Sequence, residues 1–261
     1  MDAAGLAGVV TVVTGAAGGI GAAVVRSAAS AGARVVAADR NAAGAEEVAA
    51  KLRAEGLDVS ARGVDVTSEA AVDDLVAWTE ATVGPIGALV NGAGVLHVGP
   101  VVETSADDWA AVFAVNATGV FHLSRAVAAR MVPRRRGVIV TIASNAAGVP
   151  RRHMAAYAAS KAAAAHFTRC LGLELAPLGI RCNVVCPGST DTAMGRAAWP
   201  GEDGVARVVA GSLEDFRTGI PLGRVADPQD VADAVMFLLS DQSRHVALHD
   251  LYVDGGAALR A

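Results

Sequence analysis

The chain is expected to fold as a doubly wound parallel α/β sheet, and three features of its 261 residues predict this. Short β-branched runs alternate throughout with alanine-rich stretches of helical length, the rhythm of successive strand–helix–strand units. The runs are almost continuously apolar, as in strands whose two faces are both covered by helices. No Pro/Gly/Ser-rich linker or compositional shift divides the chain, so residues 1–261 are read as a single domain.

In chain order, "VVTVV" (9–13) is the first strand candidate, uncharged and followed within two residues by glycine. A helical segment over 19–31 leads to "RVVAA" (34–38), and another over 42–55 leads to "DVSARGV" (58–64). A helix over 69–82 precedes "ALV" (88–90), and a long one over 107–131 precedes "GVIVTI" (137–142). The helix over 156–176 leads to "IRCNVV" (180–185), and a last one over 228–240 to "HDLYV" (249–253). The rhythm lapses over 190–222, "TDTAMGRAAWPGEDGVARVVAGSLEDFRTGIPL". A long irregular insertion in a compact fold is usually functional, and a short substrate lid is expected there.

Composition narrows the function classes. A net charge of −4 gives no electrostatic case for nucleic acid. The one dense basic run, Arg134 to Arg136, reads as a solvated loop between helix and strand. Three cysteines at 170, 182 and 186 are too few and wrongly spaced for a disulfide framework or a metal site, and read as small buried hydrophobes in a reducing compartment. Residues Ala3 to Val25 carry no charge, which raises a membrane span. That window is glycine-rich, however, and Asp2 stands where a signal peptide needs a basic residue. A soluble cytoplasmic protein is expected, with no membrane partner.

"VVTVVTGAAGGIGAAVVRSAASAGARVVAADR" reads as strand, glycine loop, helix and second strand, ending in an acid. Gly15, Gly19 and Gly21, with Ile20 between them, let backbone amides approach a pyrophosphate at the positive end of the following helix. Asp39 follows Gly21 by 18 residues, which in this context points to a Rossmann-like dinucleotide site. Its carboxylate suits the ribose hydroxyls of NAD and repels the 2′-phosphate of NADP. Arg40 can turn towards such a phosphate, so NADP stays open. A helix cap is the plainer role for Asp39, but Asn41 can fill it. Asp65, with Val66, closes the third strand and can reach an adenine amino group. "NGAG", Asn91 and Gly92 with Ala93 and Gly94, is a tight turn at the end of the fourth strand, where a plain loop or a ligand crevice are the two readings.

These motifs, together with Asn116, Ser144, "YAASK" (157–161), "PGSTDT" (187–192) and "VDGG" (253–256), resemble the short-chain dehydrogenases/reductases over nearly the whole chain. The resemblance implies that Ser144, Tyr157 and Lys161 are catalytic and that Asn116 completes a tetrad, holding a water in a relay to Lys161. Each has a dull alternative: a turn cap, a core ring, a surface charge, a satisfied helical amide. A free tyrosine has a pKa near 10, and a neighbouring ammonium and a cationic nicotinamide would both favour its phenolate. Tyr157 and Lys161 would also contact the cofactor. Backbone after Pro187 and Gly188, with Thr190 and Thr192, is implied to anchor the nicotinamide amide.

Finer stretches, "SNAAGVPR", "IRCNVVCPGSTDT", "GSLEDFRTGIPLGR" and "VDGGAAL", are similar to those members of the family that oxidise 2,3-dihydro-2,3-dihydroxybenzoate with NAD in catechol-siderophore biosynthesis. Such a substrate carries a carboxylate. Arg151 is the first candidate to clamp it, with a solvated loop arginine as the alternative. Arg196 is a second, Met194 lies beside it, and His97 stands where the similar enzymes carry arginine. Arg152 and His153 read as surface or entrance residues. The same chemistry on 2,3-dihydro-3-hydroxyanthranilate is the nearest alternative. A 3-oxoacyl-carrier-protein reductase is disfavoured by Gly18 and Asp39, and a non-catalytic NAD-binding protein by the presence of Tyr157 and Lys161. The family also implies a homotetramer through the helices at 107–131 and 156–176. No metal is expected.

Overall fold

Seven parallel strands form one sheet in the computed structural model, which describes residues 5–259. The first four and last two residues of the expected 1–261 domain lie outside the described residues. The strands are β1 (Val10–Thr14), β2 (Arg34–Asp39), β3 (Val59–Gly63), β4 (Ile86–Asn91), β5 (Gly137–Ile142), β6 (Ile180–Pro187) and β7 (Asp250–Val253). Their order across the sheet is β3-β2-β1-β4-β5-β6-β7. The order therefore reverses between β1 and β4, and a crevice opens beyond the carboxyl ends of those two strands.

The helices are α1 (Gly19–Ser30), α2 (Ala42–Ala54), α3 (Glu69–Trp78), α4 (Ala106–Phe113), α5 (Gly119–Met131), α6 (Ala155–Leu175), α7 (Ala193–Ala198), α8 (Gly204–Ala210) and α9 (Pro228–Leu239). Alternate strand residues face opposite layers. Val13, Val35, Ala37, Val90 and Val140 pack with Val24, Ala28, Leu52 and Val235 from α1, α2 and α9. Val12, Val36, Leu89 and Ile139 pack with Leu75, Leu123, Val127 and Met131 from α3 and α5. Two covered faces explain why the strands carry so few polar residues.

The structure corrects several boundaries. The expected helix over 107–131 is two helices joined by a wider π-type turn, Ala114–Thr118. A second such turn, Thr79–Val83, ends the α3 segment at Gly84. β3 stops at Gly63, so Asp65 lies beyond the strand, while β4 extends through Asn91. The 190–222 segment is not wholly irregular, because Thr192 caps α7 by accepting from Gly195 N at 3.0 Å and α8 follows. Asn41 caps α2 through Gly44 N as expected.

Arg134 to Arg136 are exposed between α5 and β5, as expected of a solvated connection, and the first two are also tied to neighbouring elements. Arg134 pairs with Glu80 at 2.8 Å and donates to Ile86 O, and Arg135 donates to Pro177 O. Cys182 and Cys186 are buried, but Cys170 is exposed. The uncharged N-terminal window holds β1 and the start of α1. By length and composition, the stretch Ala106–Arg134 is able to cross a bilayer; here its Leu123, Val127 and Met131 are buried against the sheet.

Candidate active site

The crevice between β1 and β4 is shaped by backbone. Thr14, at the end of β1, donates to Val90 O at 3.4 Å and accepts from Gly92 N and Ala93 N at 3.1 and 3.3 Å. It thereby ties the glycine loop to the turn after β4. Gly15 has φ +72°, and a Cβ there would come within 2.6 Å of Gly92 O. A Cβ at Gly21 would lie 2.0 Å from Gly15 O, so α1 rests directly on the loop. No side chain caps α1, which leaves its first-turn N–H groups for an anion. A glycine cradle closed to a Cβ at Gly15 and Gly21, beside an uncapped helix end, fits a dinucleotide pyrophosphate.

A cavity of about 150 Å³ continues from this cradle, lined by Thr14, Gly15, Asp39, Arg40, Asp65, Val66 and Ala93 among others. Asp39 sits at its rim. One carboxylate oxygen accepts from Ala17 N at 3.0 Å and the other from Asn41 N at 2.8 Å. It thus holds the glycine loop to the end of β2, and each oxygen keeps a further lone pair. Asp65 accepts from the amide and hydroxyl of Thr67, which hold its carboxyl below the usual carboxylate range.

Asn91 is the exception among the residues expected here. Being the last residue of β4, it points inward and donates to Ser124 and Thr141 hydroxyls at 3.0 and 3.2 Å, while its own Oδ1 has no partner. Its side chain organises the sheet beneath the crevice and does not line the cavity. Ile20 likewise lines the larger, neighbouring cavity rather than this one.

The larger cavity, of about 210 Å³, holds the titratable cluster. Ser144 follows β5, its hydroxyl accepts from Ala146 N at 3.1 Å, and it lines the same cavity as Tyr157. Tyr157 occupies the first turn of α6, and Lys161 follows one turn later, its Nζ 5.9 Å from the centroid of the tyrosine ring. Lys161 is buried and donates to Ile142 O at 2.9 Å. Burial pushes its ammonium down to about 8. Burial also raises the Tyr157 phenol, and the nearby Ser144 hydroxyl opposes that rise. Desolvation is thus the larger influence within the protein, which the expected effect of the ammonium and the nicotinamide has to oppose. The Cys186 thiol, buried beneath this cluster, is pushed up to about 12 and stays neutral.

Asn116 lies in the π-type turn, fully buried. It accepts from Val95 N and donates to Val95 O, each at 2.9 Å, and donates to Ser160 Oγ at 3.0 Å. Its direct partners are therefore the strand-end loop and α6, not Lys161. The position a Cβ would take on Gly94 is 3.2 Å from Lys161 Nζ and 3.4 Å from Asn116 Oδ1, so both groups border that glycine.

Pro187, Gly188, Thr190, Thr192, Met194 and Arg151 all line the larger cavity, as expected of cofactor and substrate contacts. Thr192 sits over the glycine loop, its Cγ2 3.1 Å from where a Gly19 Cβ would stand. Its hydroxyl is engaged in capping α7, and Thr190 donates to Gly188 O at 3.2 Å. Two residues expected at the substrate do not line this cavity. His97 lies outside the cavity with Nδ1 4.0 Å from Asp108 of α4. Arg196 is on the exposed outer side of α7, paired with Asp191 at 2.6 Å. The one charged residue of this lining that the sequence did not single out is Arg217, in the wall with Arg151. It lies in the quoted "GSLEDFRTGIPLGR", whose charge alone gives no direction.

Comparison with known proteins extends this picture. The model of the family described as short chain dehydrogenase matches residues 9–203. The chain is 53% identical over 259 residues to 2,3-dihydro-2,3-dihydroxybenzoate dehydrogenase of Bacillus subtilis (strain 168), covering 99% of each chain. It is 45% identical over 247 residues to the vibriobactin-specific 2,3-dihydro-2,3-dihydroxybenzoate dehydrogenase of Vibrio cholerae, covering 94% of each. Among solved structures it resembles a gluconate 5-dehydrogenase from Burkholderia cenocepacia J2315 in complex with NADP and tartrate, with a TM-score of 0.91 and 33% identity over 100% of this chain and 99% of that one.

Proposed function

The chain belongs to the short chain dehydrogenase family, and on that premise we propose that it oxidises a ring hydroxyl of 2,3-dihydro-2,3-dihydroxybenzoate, with NAD as the acceptor. The observation that carries the reading is one cavity that brings Ser144 and Tyr157 together with arginines free of ion pairs, in a chain so similar to relatives named for that activity.

When bound, the nicotinamide accepts the hydride, two electrons with the carbon-bound hydrogen. Tyr157 takes the hydroxyl proton as that C–H bond breaks and the C=O bond forms. Ser144 holds the same oxygen in line through its hydroxyl. Lys161, with a pKa of about 8, is mostly protonated at neutral pH, and its positive charge offsets part of the burial that keeps the phenol protonated. Asn116 fixes Ser160 and the loop at Val95, with its remaining Oδ1 lone pair available to a water beside Gly94. The ring ketone then enolises to aromatic 2,3-dihydroxybenzoate, which drives the reaction in the oxidative direction.

Asp39 at the cavity rim supports NAD over NADP, since a 2′-phosphate would meet its carboxylate. Residues 190–222 supply Met194 and Arg217 to the cavity wall, which supports their reading as a substrate lid within a single domain. Exposed Trp109, Phe121 and Leu173 on α4, α5 and α6 support a homotetramer through those helices, and a sedimentation mass near that of a monomer would contradict it. The free cysteines support a cytoplasmic setting.

The test follows reduced nicotinamide by its absorbance with NAD or NADP, on the diol acid and on 2,3-dihydro-3-hydroxyanthranilate side by side. The reading expects the highest kcat/KM for NAD with the diol acid. A preference for the amino analogue would move the substrate assignment while keeping the chemistry.

A further inference from the structure

The segment after α8 makes a tight turn whose inner side faces the cavity. Ser212 N donates to Arg217 O at 3.0 Å and Arg217 N donates to Ser212 O at 2.8 Å, closing the turn at its base. Gly211 and Gly219 flank that base at φ +85° and +82°, and a Cβ on Gly211 would come within 2.5 Å of Arg217 O. The crossing is therefore backed by close backbone contact. On the outer side, Arg152 donates to Glu214 O at 3.0 Å and lies 3.5 and 3.3 Å from the Glu214 and Asp215 carboxylates. Arg152, which reads from sequence as a surface residue, fastens the turn to the loop before α6.

Arg217 is placed by this arrangement next to Arg151 in the cavity wall. Its Nη2 reaches only Met154 Sδ, a weak acceptor, at 3.4 Å, and its Nε is buried without a partner. Arg151 is half-buried and forms no ion pair among the described residues; burial and repulsion from Arg217 push its pKa down. Asp254 is the carboxylate that acts on Arg151 in the opposite sense. It is already committed, however, accepting from Asn145 Nδ2, Gly256 N and Ala258 N. Two guanidinium groups side by side, one with an orphaned buried N–H, carry a desolvation and repulsion cost that an anion between them would relieve.

We propose that Arg217 and Arg151 together bind the substrate carboxylate, with Arg152 as a positioning residue that holds the Arg217 turn against the cavity. This rests on the reading that the substrate is a ring diol bearing a carboxylate. It adds a second guanidinium to the clamp and makes residues 190–222 selective for an acid rather than a mere cover. A carboxylate matches two such forks, since each oxygen can accept from a separate N–H donor.

The experiment compares wild type with Arg217→Gln, Arg217→Lys and Arg152→Gln on the diol acid and on the same cyclohexadiene diol lacking the carboxylate. Arg217→Gln is expected to raise KM for the acid about 10- to 100-fold and to change kcat/KM for the carboxylate-free diol by a much smaller factor. Arg217→Lys should recover part of the loss, as a point charge without the fork. Arg152→Gln should raise KM for the acid by a smaller factor, with kcat intact. NAD affinity and the unfolding temperature serve as controls for folding. An unchanged KM for the acid in Arg217→Gln, or equal losses on both diols, would overturn the clamp. Should wild type fail to oxidise the diol acid, the substrate reading falls by itself, and the clamp is then read from benzoate binding to the NAD-loaded protein. Weakening of that binding by Arg217→Gln upholds it, and undetectable or unaltered binding overturns it.

Discussion

The cofactor crevice and the substrate cavity lie side by side, yet they treat their polar groups in opposite ways. At the crevice, Thr14, Asp39 and Asp65 are all bonded to the protein's own backbone. These side chains hold the loops in place, and the amides and glycines around them make the cradle. Across Tyr157, Arg151 and Arg217 border a cavity whose lining holds no carboxylate, and the Asp254 that acts on Arg151 is already taken up by its own hydrogen bonds. One region is finished before its ligand arrives, as suits a cofactor shared by many relatives. The other leaves charge uncompensated, which suits a substrate that brings the missing charge. Specificity is then concentrated where the protein is least satisfied internally.

Four changes test this division, in descending order of effect. Tyr157→Phe, at the junction of the two regions, should cut turnover by about 10²- to 10⁴-fold while calorimetric titration finds NAD affinity unchanged. Equal turnover would remove Tyr157 as the proton acceptor. Gly21→Ala tests the finished side, because its Cβ would stand 2.0 Å from Gly15 O. It should cost roughly 1–3 kcal/mol in denaturant unfolding and weaken NAD binding, whereas Gly18→Ala, with open space around it, should unfold at the wild-type denaturant concentration. Asp39→Ala should shift the NAD/NADP affinity ratio towards NADP by about tenfold, some 1.4 kcal/mol, through loss of the carboxylate. No shift would remove Asp39 as the selector.

The fourth and smallest is a pH slope. Lys161 has a folded pKa of about 8, below its unfolded value of 10.5, so between these values the unfolded chain binds more protons. Stability should accordingly rise with pH through that window, by less than about 1.4 kcal/mol per pH unit, and the penalty is fully present below pH 8. Lys161→Met should abolish this part of the slope in urea titrations at successive pH values. A slope identical in the two proteins would mean that the ammonium is not desolvated by folding.

The same contrast governs what could be read before folding. The glycine loop, Asp39 and the Tyr157–Lys161 spacing are local patterns, and each appears in the structure where its spacing places it. Asn91 was misplaced because β4 runs one residue further than its apolar run suggests, and a single step along a strand reverses the side a residue faces. The break at Ala114–Thr118 has no local signal, as its alanine-rich surroundings are helical throughout. On the substrate side, position depends on contacts far apart in sequence. Arg152 meets Glu214 across 62 residues, in the same turn that carries Arg217. Arg196 and Arg217 both read as loop arginines, but Asp191 lies five residues from the first and nothing comparable neutralises the second. His97 is drawn to Asp108 on the helix that follows, a pairing that residue type alone does not reveal.

The most direct test of the account mixes the purified protein with NAD and 2,3-dihydro-2,3-dihydroxybenzoate and quantifies both products together. The account predicts reduced nicotinamide and 2,3-dihydroxybenzoate in equal amounts, formed faster as pH rises because Tyr157 acts as a base whose phenol burial has raised. Reduced nicotinamide without the catechol acid, or no reduction beside rapid turnover of an uncharged alcohol, would contradict it.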